Sequence, residues 1–98
     1  MNDEWQNATF LIQETPTFSI TVNGRDRWAL EQLIKAGSRG CTPIDNPAPR
    51  WSGYIHNLRN MGAPITTHTE PHKGAFAGTH ARYELQAVVV RLGEGEAA

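Results

Sequence analysis

Residues 50–61 read RWSGYIHNLRNM. In this stretch Trp51, Tyr54, Ile55, Leu58 and Met61 fall at relative positions 0, 3, 4, 7 and 10, a spacing that lines one face of an α-helix. The segment therefore predicts a helix over 50–61, with Pro49 near its start and Gly62 as its stop. The opposite face then carries Arg50, Ser52, Gly53, His56, Asn57, Arg59 and Asn60. Downstream, residues 64–70 (PITTHTE) place β-branched side chains at alternate positions, 71–79 hold turn formers, and 80–92 (HARYELQAVVVRL) read as one long strand; together these predict a hairpin. Upstream, Pro43, Pro47 and Pro49 fall within seven residues. They forbid a long helix and leave room for one tight turn, with Thr42 as its cap and Pro43 in its first position.

Before that turn a second amphipathic helix is expected. Asn23 can cap it, with Asp26 three residues on as a partner of capping-box type; Ala29, Leu30, Leu33 and Ile34 form its apolar face, Lys35 sits in its last turn and Gly37 ends it. Residues 17–22 (TFSITV) alternate and predict a short strand. The expected order is strand, helix, very short second helix or turn, helix and two-stranded hairpin, an α+β domain.

A chain of 98 residues supports one hydrophobic core, expected over 8–92 with flexible tails at 1–7 and 93–98. No apolar run approaches the roughly 18 residues of a membrane span, and the opening MNDEWQN is polar and acidic where a signal peptide is basic and then apolar. A cytoplasmic protein without membrane contact is expected. The single Cys41 cannot form an internal disulfide and reads as a small buried residue in the turn. The net charge of −1 is unevenly spread: residues 23–83 hold eight Lys/Arg against four Asp/Glu, a balance of +4, and the flanks carry the remaining acid. Local field at a contact surface outweighs the total, so the basic middle is compatible with nucleic acid.

The stretch RWALEQLIKAGSRGCTPIDNPAPRWSGYIHNLRNMGAPITTHTE, with GTHARYEL closing the hairpin, resembles the small winged helix-turn-helix DNA-binding proteins of bacteria and their prophages. The segments YIHNLRNMG and RYEL carry the likeness, which covers about residues 18–87. It differs from many such proteins in that the three prolines compress the second helix to a turn. The resemblance implies a winged helix fold and a transcriptional regulator of phage, prophage or bacterial type. Helix 50–61 would then lie in the major groove of double-stranded DNA. Arg50, Ser52, His56, Asn57, Arg59 and Asn60 would face bases or phosphates, and His72, Lys73, Thr79, His80 and Arg82 would meet the backbone from the wing. Arginine grips guanine bidentately and asparagine does the same for adenine. Phe76 either wedges against a sugar or partner surface or folds back onto the hairpin.

His68, His72 and His80, with Cys41, are the residue types that bind zinc, but Pro71 denies His68 and His72 a common helical face, and neither metal nor cofactor is expected. No nucleophile-and-base motif or phosphate loop is present, so no enzyme is expected. Among the tryptophans, Trp51 anchors the core. Trp28 lies off the apolar stripe and packs under the wing, under the N-terminal segment or in a protein interface, and Trp5 is placed to dock on a second subunit. One such module buries only roughly 600–1,000 Å² on DNA, so a homodimer on a two-fold site is expected. Residues 87–92 or 9–12 are its candidate interface, unless both pair within the domain's own sheet. The alternative is a winged helix used as a protein-interaction module, such as a mobile-element inhibitor or accessory factor docking on a host protein complex.

Overall fold

The apolar stripes read from the sequence meet each other. A computed structural model of the chain describes residues 6–72 and 78–94. In it helix α1 (Gly24–Ala36) buries Ala29, Leu30 and Leu33, and helix α2 (Trp51–Asn60) buries Trp51, Tyr54, Ile55 and Leu58. These two faces pack together with the inner face of a sheet in one core. Arg50 and Met61 stand at the two caps of α2, so Met61 is exposed at the helix end and does not extend the buried stripe. Gly37 ends α1 with φ 58°, its N–H donating to the Leu33 carbonyl, as glycine past a helix end does. Asn23 occupies the N-cap in extended conformation without a side-chain capping bond. The capping box expected from Asn23 and Asp26 is therefore absent, because the Asp26 carboxylate is engaged across the helix pair.

The sheet that closes the core has the order β2–β1–β5, all antiparallel, from β1 (Ala8–Gln13), β2 (Phe18–Val22) and β5 (Val88–Glu94). Ala8, Phe10, Ile12, Ile20, Val22 and Val89 point inward, the alternation that a one-sided sheet requires. Residues 9–12 thus lie in the central strand with both edges paired, which removes them as a dimer edge. The long strand expected over 80–92 is in fact two. Strand β4 (Gly78–Leu85) belongs to the hairpin, the Gln86 N–H closes that hairpin on the Pro64 carbonyl (2.8 Å), and β5 leaves for the other sheet. The strand pattern runs on without a Gly or Pro stop because each half serves a different sheet.

The hairpin pairs β3 (Ile65–His72) with β4 from Ile65↔Leu85 to His72↔Gly78. Pro71 and His72, expected in the turn, extend the strand instead. A proline is tolerated on an edge strand because its missing N–H need not serve the ladder. The expectations for Lys73 and Phe76 fall on residues 73–77, outside the described residues, as does that for Trp5.

Between the helices the chain runs through a 3₁₀ turn (Gly37–Arg39) to Gly40, whose φ is 71° and where a Cβ would lie 2.7 Å from the Tyr83 carbonyl oxygen. Only glycine fits. It lets Cys41 pair with Tyr83 through two backbone hydrogen bonds of 2.8 Å, adding a one-residue third strand to the hairpin. Thr42 caps the following turn as its sequence implies: its Oγ accepts from the Ile44 and Asp45 N–H groups (3.2 and 2.9 Å), and its carbonyl accepts from the Asn46 N–H at 2.9 Å.

Candidate nucleic-acid interface

The position of α2 is fixed by an aromatic cluster. Trp28 packs on Trp51 at 5.4 Å between centroids and on Tyr54 at 6.4 Å, while Tyr83 of the hairpin stacks on Trp51 at 6.0 Å. The Trp51 indole N–H donates to the Asn46 carbonyl at 2.6 Å, tying the proline-rich turn to the start of α2. Trp28 thus sits against the second helix, a place not among those its sequence position suggested, because it reaches sideways off its own stripe.

In front of this cluster the first turns of α1 and α2 enclose an open groove of about 630 Å³, lined by Arg25, Asp26, Pro49, Arg50, Ser52, Gly53, Tyr54, His56 and Asn57. Arg25 and Arg50 are exposed, and among the described residues neither side chain has a hydrogen bond or ion pair. Asp26 is held by the Asn57 amide, whose Nδ2 donates to both carboxylate oxygens at 3.2 Å. His56 and Asn60 bond to each other along the exposed face (Nε2 to Nδ2, 3.2 Å), and Ser52 is open to solvent. Arg25 lines this groove without having been among the expected contact residues. The available signal was its place in the first turn of a helix, where the unsatisfied N–H groups and the dipole attract anions.

Other expected contact residues have structural partners. Arg59 folds back from α2 onto β3, donating from Nε and Nη2 to the Ile65 carbonyl (3.1 and 2.7 Å) and from Nη2 to Thr67 Oγ (2.7 Å). Arg82 binds Glu70 through both Nε and Nη2, donates from Nη1 to the Arg39 carbonyl (2.8 Å) and lies 3.7 Å from Asp45. His80 reaches the same Glu70 carboxylate at 3.1 Å, and His68 pairs with Glu84 at 3.0 Å. Arg59 and Arg82 therefore set the hairpin's angle to α2 and to the turn. Thr79 is exposed on β4 opposite Pro71, and His72 is placed only by its backbone in β3.

Glu70 is held below the ordinary carboxylate range, first by the hydrogen bond from Arg82 and then by its charge and the bond from His80, against the opposing effect of desolvation. A carboxylate lowered on folding stabilises the fold above its unfolded pKa, and that contribution is lost as pH falls through the folded value. Acid titration below about pH 4.5 should therefore loosen the hairpin, and Glu70→Gln should remove that pH dependence at a lower starting stability. Urea midpoints measured at several pH values check this; parallel profiles for the two proteins would contradict it.

Burial pushes the Cys41 thiol up to about 11, against the nearby charges of Arg39 and Arg82, so it is a packing group and not a nucleophile. Among the described residues no three His, Cys, Asp or Glu gather to hold a metal, and no helix is long and apolar enough to cross a membrane.

Residues 19–95 match a family model described as a winged helix domain. The chain belongs to that family, whose fold is of DNA-binding type and generally serves binding rather than catalysis. No curated protein and no solved structure matches it.

Proposed function

We propose that this winged helix protein binds double-stranded DNA through the groove between α1 and α2, as a cytoplasmic transcriptional regulator of phage or bacterial type. One observation carries the reading: Arg25 and Arg50, without partners among the described residues, flank the polar face of the helix that such domains insert into the major groove. The two guanidiniums grip phosphates on either side of the groove, and the positive end of the α2 dipole reinforces the anion site. Ser52, His56, Asn57 and Asn60 face the base edges. Asn57 turns its amide to Asp26 in the free protein and exchanges that bond for an adenine on binding. On the wing, His72, Lys73 and Thr79 meet the neighbouring backbone. Arg59, His80 and Arg82 hold the wing in register. A homodimer on a two-fold site supplies the area that one module lacks.

Mobility shift with duplex from the protein's own locus, in a salt series, tests the reading. Retention at low ionic strength that falls steeply as salt rises is expected; no retention on native or random duplex at low salt would sink it. The alternative, a protein-docking winged helix, is favoured by exposed valine and leucine side chains on β5. It predicts salt-insensitive partner binding that survives loss of Arg25 and Arg50.

A further inference from the structure

The outer face of the three-stranded sheet divides in two. On the β2 side it shows Ser19 and Thr21, with Thr21 Oγ bonded to Thr9 Oγ at 3.0 Å. On the β5 side it shows Val88, Val90 and Leu92, 64, 43 and 48% exposed, beside half-buried Leu11. Among the described residues strand β5 also stands at the sheet's end, paired with β1 alone. Soluble proteins guard or pair an exposed apolar edge strand, and the outer face of this one carries no charge over 88–92. From this edge we infer that β5 is the self-interface of the protein, pairing antiparallel with β5 of a second copy to make one six-stranded sheet.

A second copy fits this strand in one register. A two-fold axis perpendicular to the sheet keeps outer residues opposite outer residues. With the axis at Val90, Val90 of each copy opposes Val90 of the other, and Val88 opposes Leu92. Every outward pair is apolar. The only charge within this stretch, Arg91, lies on the other face, 3.7 Å from Glu31. Moving the axis to position 91 would set the two Arg91 residues against each other, and moving it to 89 would leave Leu92 opposite Gln86, outside the strand. The irregularity between Thr9 and Phe10 in the β1–β5 ladder ends the regular strand near Leu92. Five paired residues span about 17 Å, so the strip covers a few hundred Å² per copy, short of the roughly 800 Å² of a standard interface. The dimer is accordingly a weak one, dissociating on dilution and strengthened where two copies sit side by side.

This deepens the two-copy part of the proposed function, and its test is independent of DNA. Sedimentation equilibrium of the full chain should show a mass rising with concentration from 10.9 kDa towards twice that value, and Val90→Lys should hold it at the monomer. Under mild oxidation Val90→Cys should form a disulfide dimer, since its two copies meet on the axis within bridging distance. Val88→Cys should not, because its copies lie about 13 Å apart along the strand, whereas a mixture of Val88→Cys and Leu92→Cys should cross-link. A concentration-independent monomer mass, or equal cross-linking at 88 and 90, overturns the inference. A monomer that still shifts DNA leaves the DNA reading standing, and a dimer that binds no DNA removes that reading alone.

Discussion

Trp51→Ala is expected to lower stability by about 3–5 kcal/mol, a large share of the roughly 5–15 kcal/mol that holds a domain folded. The indole is almost wholly buried, touches Trp28, Tyr54 and Tyr83, and spends its only polar group on the Asn46 carbonyl. Its removal leaves a cavity where α1, α2, the hairpin and the proline-rich turn converge. Trp51→Phe retains much of the ring volume and loses the hydrogen bond, for a smaller cost of about 1–2 kcal/mol. Trp28→Ala should fall between them, since Trp28 is only half-buried. Urea midpoints rank the three, and a Trp51→Ala midpoint close to that of the parent would refute the placement of Trp51 at the junction.

Binding should respond as strongly to the two groove arginines. Replacing Arg25 and Arg50 together by alanine should weaken duplex affinity by roughly tenfold for each residue and lower the slope of log K against log salt by about 2, one for each phosphate that is no longer neutralised. The weakening should be uniform across sequences, because phosphate contacts carry no base information. Arg59→Ala should behave differently. Its guanidinium is bound to Ile65 and Thr67, so its removal frees the wing to move, with a smaller change in slope and a measurable drop in thermal stability. Equal slopes for the parent and the Arg25/Arg50 variant would place the phosphate contacts elsewhere.

Which features were legible in the sequence follows from the range of the forces involved. The α2 stripe, the Thr42-capped turn and the Gly37 stop are local, decided by side-chain spacing and by residues that admit few backbone conformations, and the fold contains all three. The division of residues 80–92 depends on two different sheets claiming neighbouring halves of one strand-like stretch, with no Gly or Pro between them to mark the boundary. The same holds for β1: its pairing on both edges is a long-range fact, invisible in TFLIQ alone. At the site, the exposure of α2's polar face followed from its period, but the fates of the arginines did not. Arg59 and Arg82 were indistinguishable from Arg50 by sequence. Only the fold brings the Ile65 carbonyl and Glu70 within their reach while leaving Arg25 and Arg50 facing the groove. Asp26 shows the same limit, since a carboxylate placed to cap its own helix instead takes the amide of Asn57 from the next one.

If the groove between the first turns of α1 and α2 is the face that meets DNA, the backbone amides that line it should report duplex binding. Chemical shifts of the isotope-labelled protein, followed as short duplex DNA is added at low salt, read this residue by residue. The largest changes should fall on residues 24–26 and 50–57, with the Asn57 side-chain amide moving as it leaves Asp26 and smaller changes reaching the hairpin. Shifts confined to β5 and the outer sheet face, or no shifts at saturating duplex, would show that DNA does not bind at this groove.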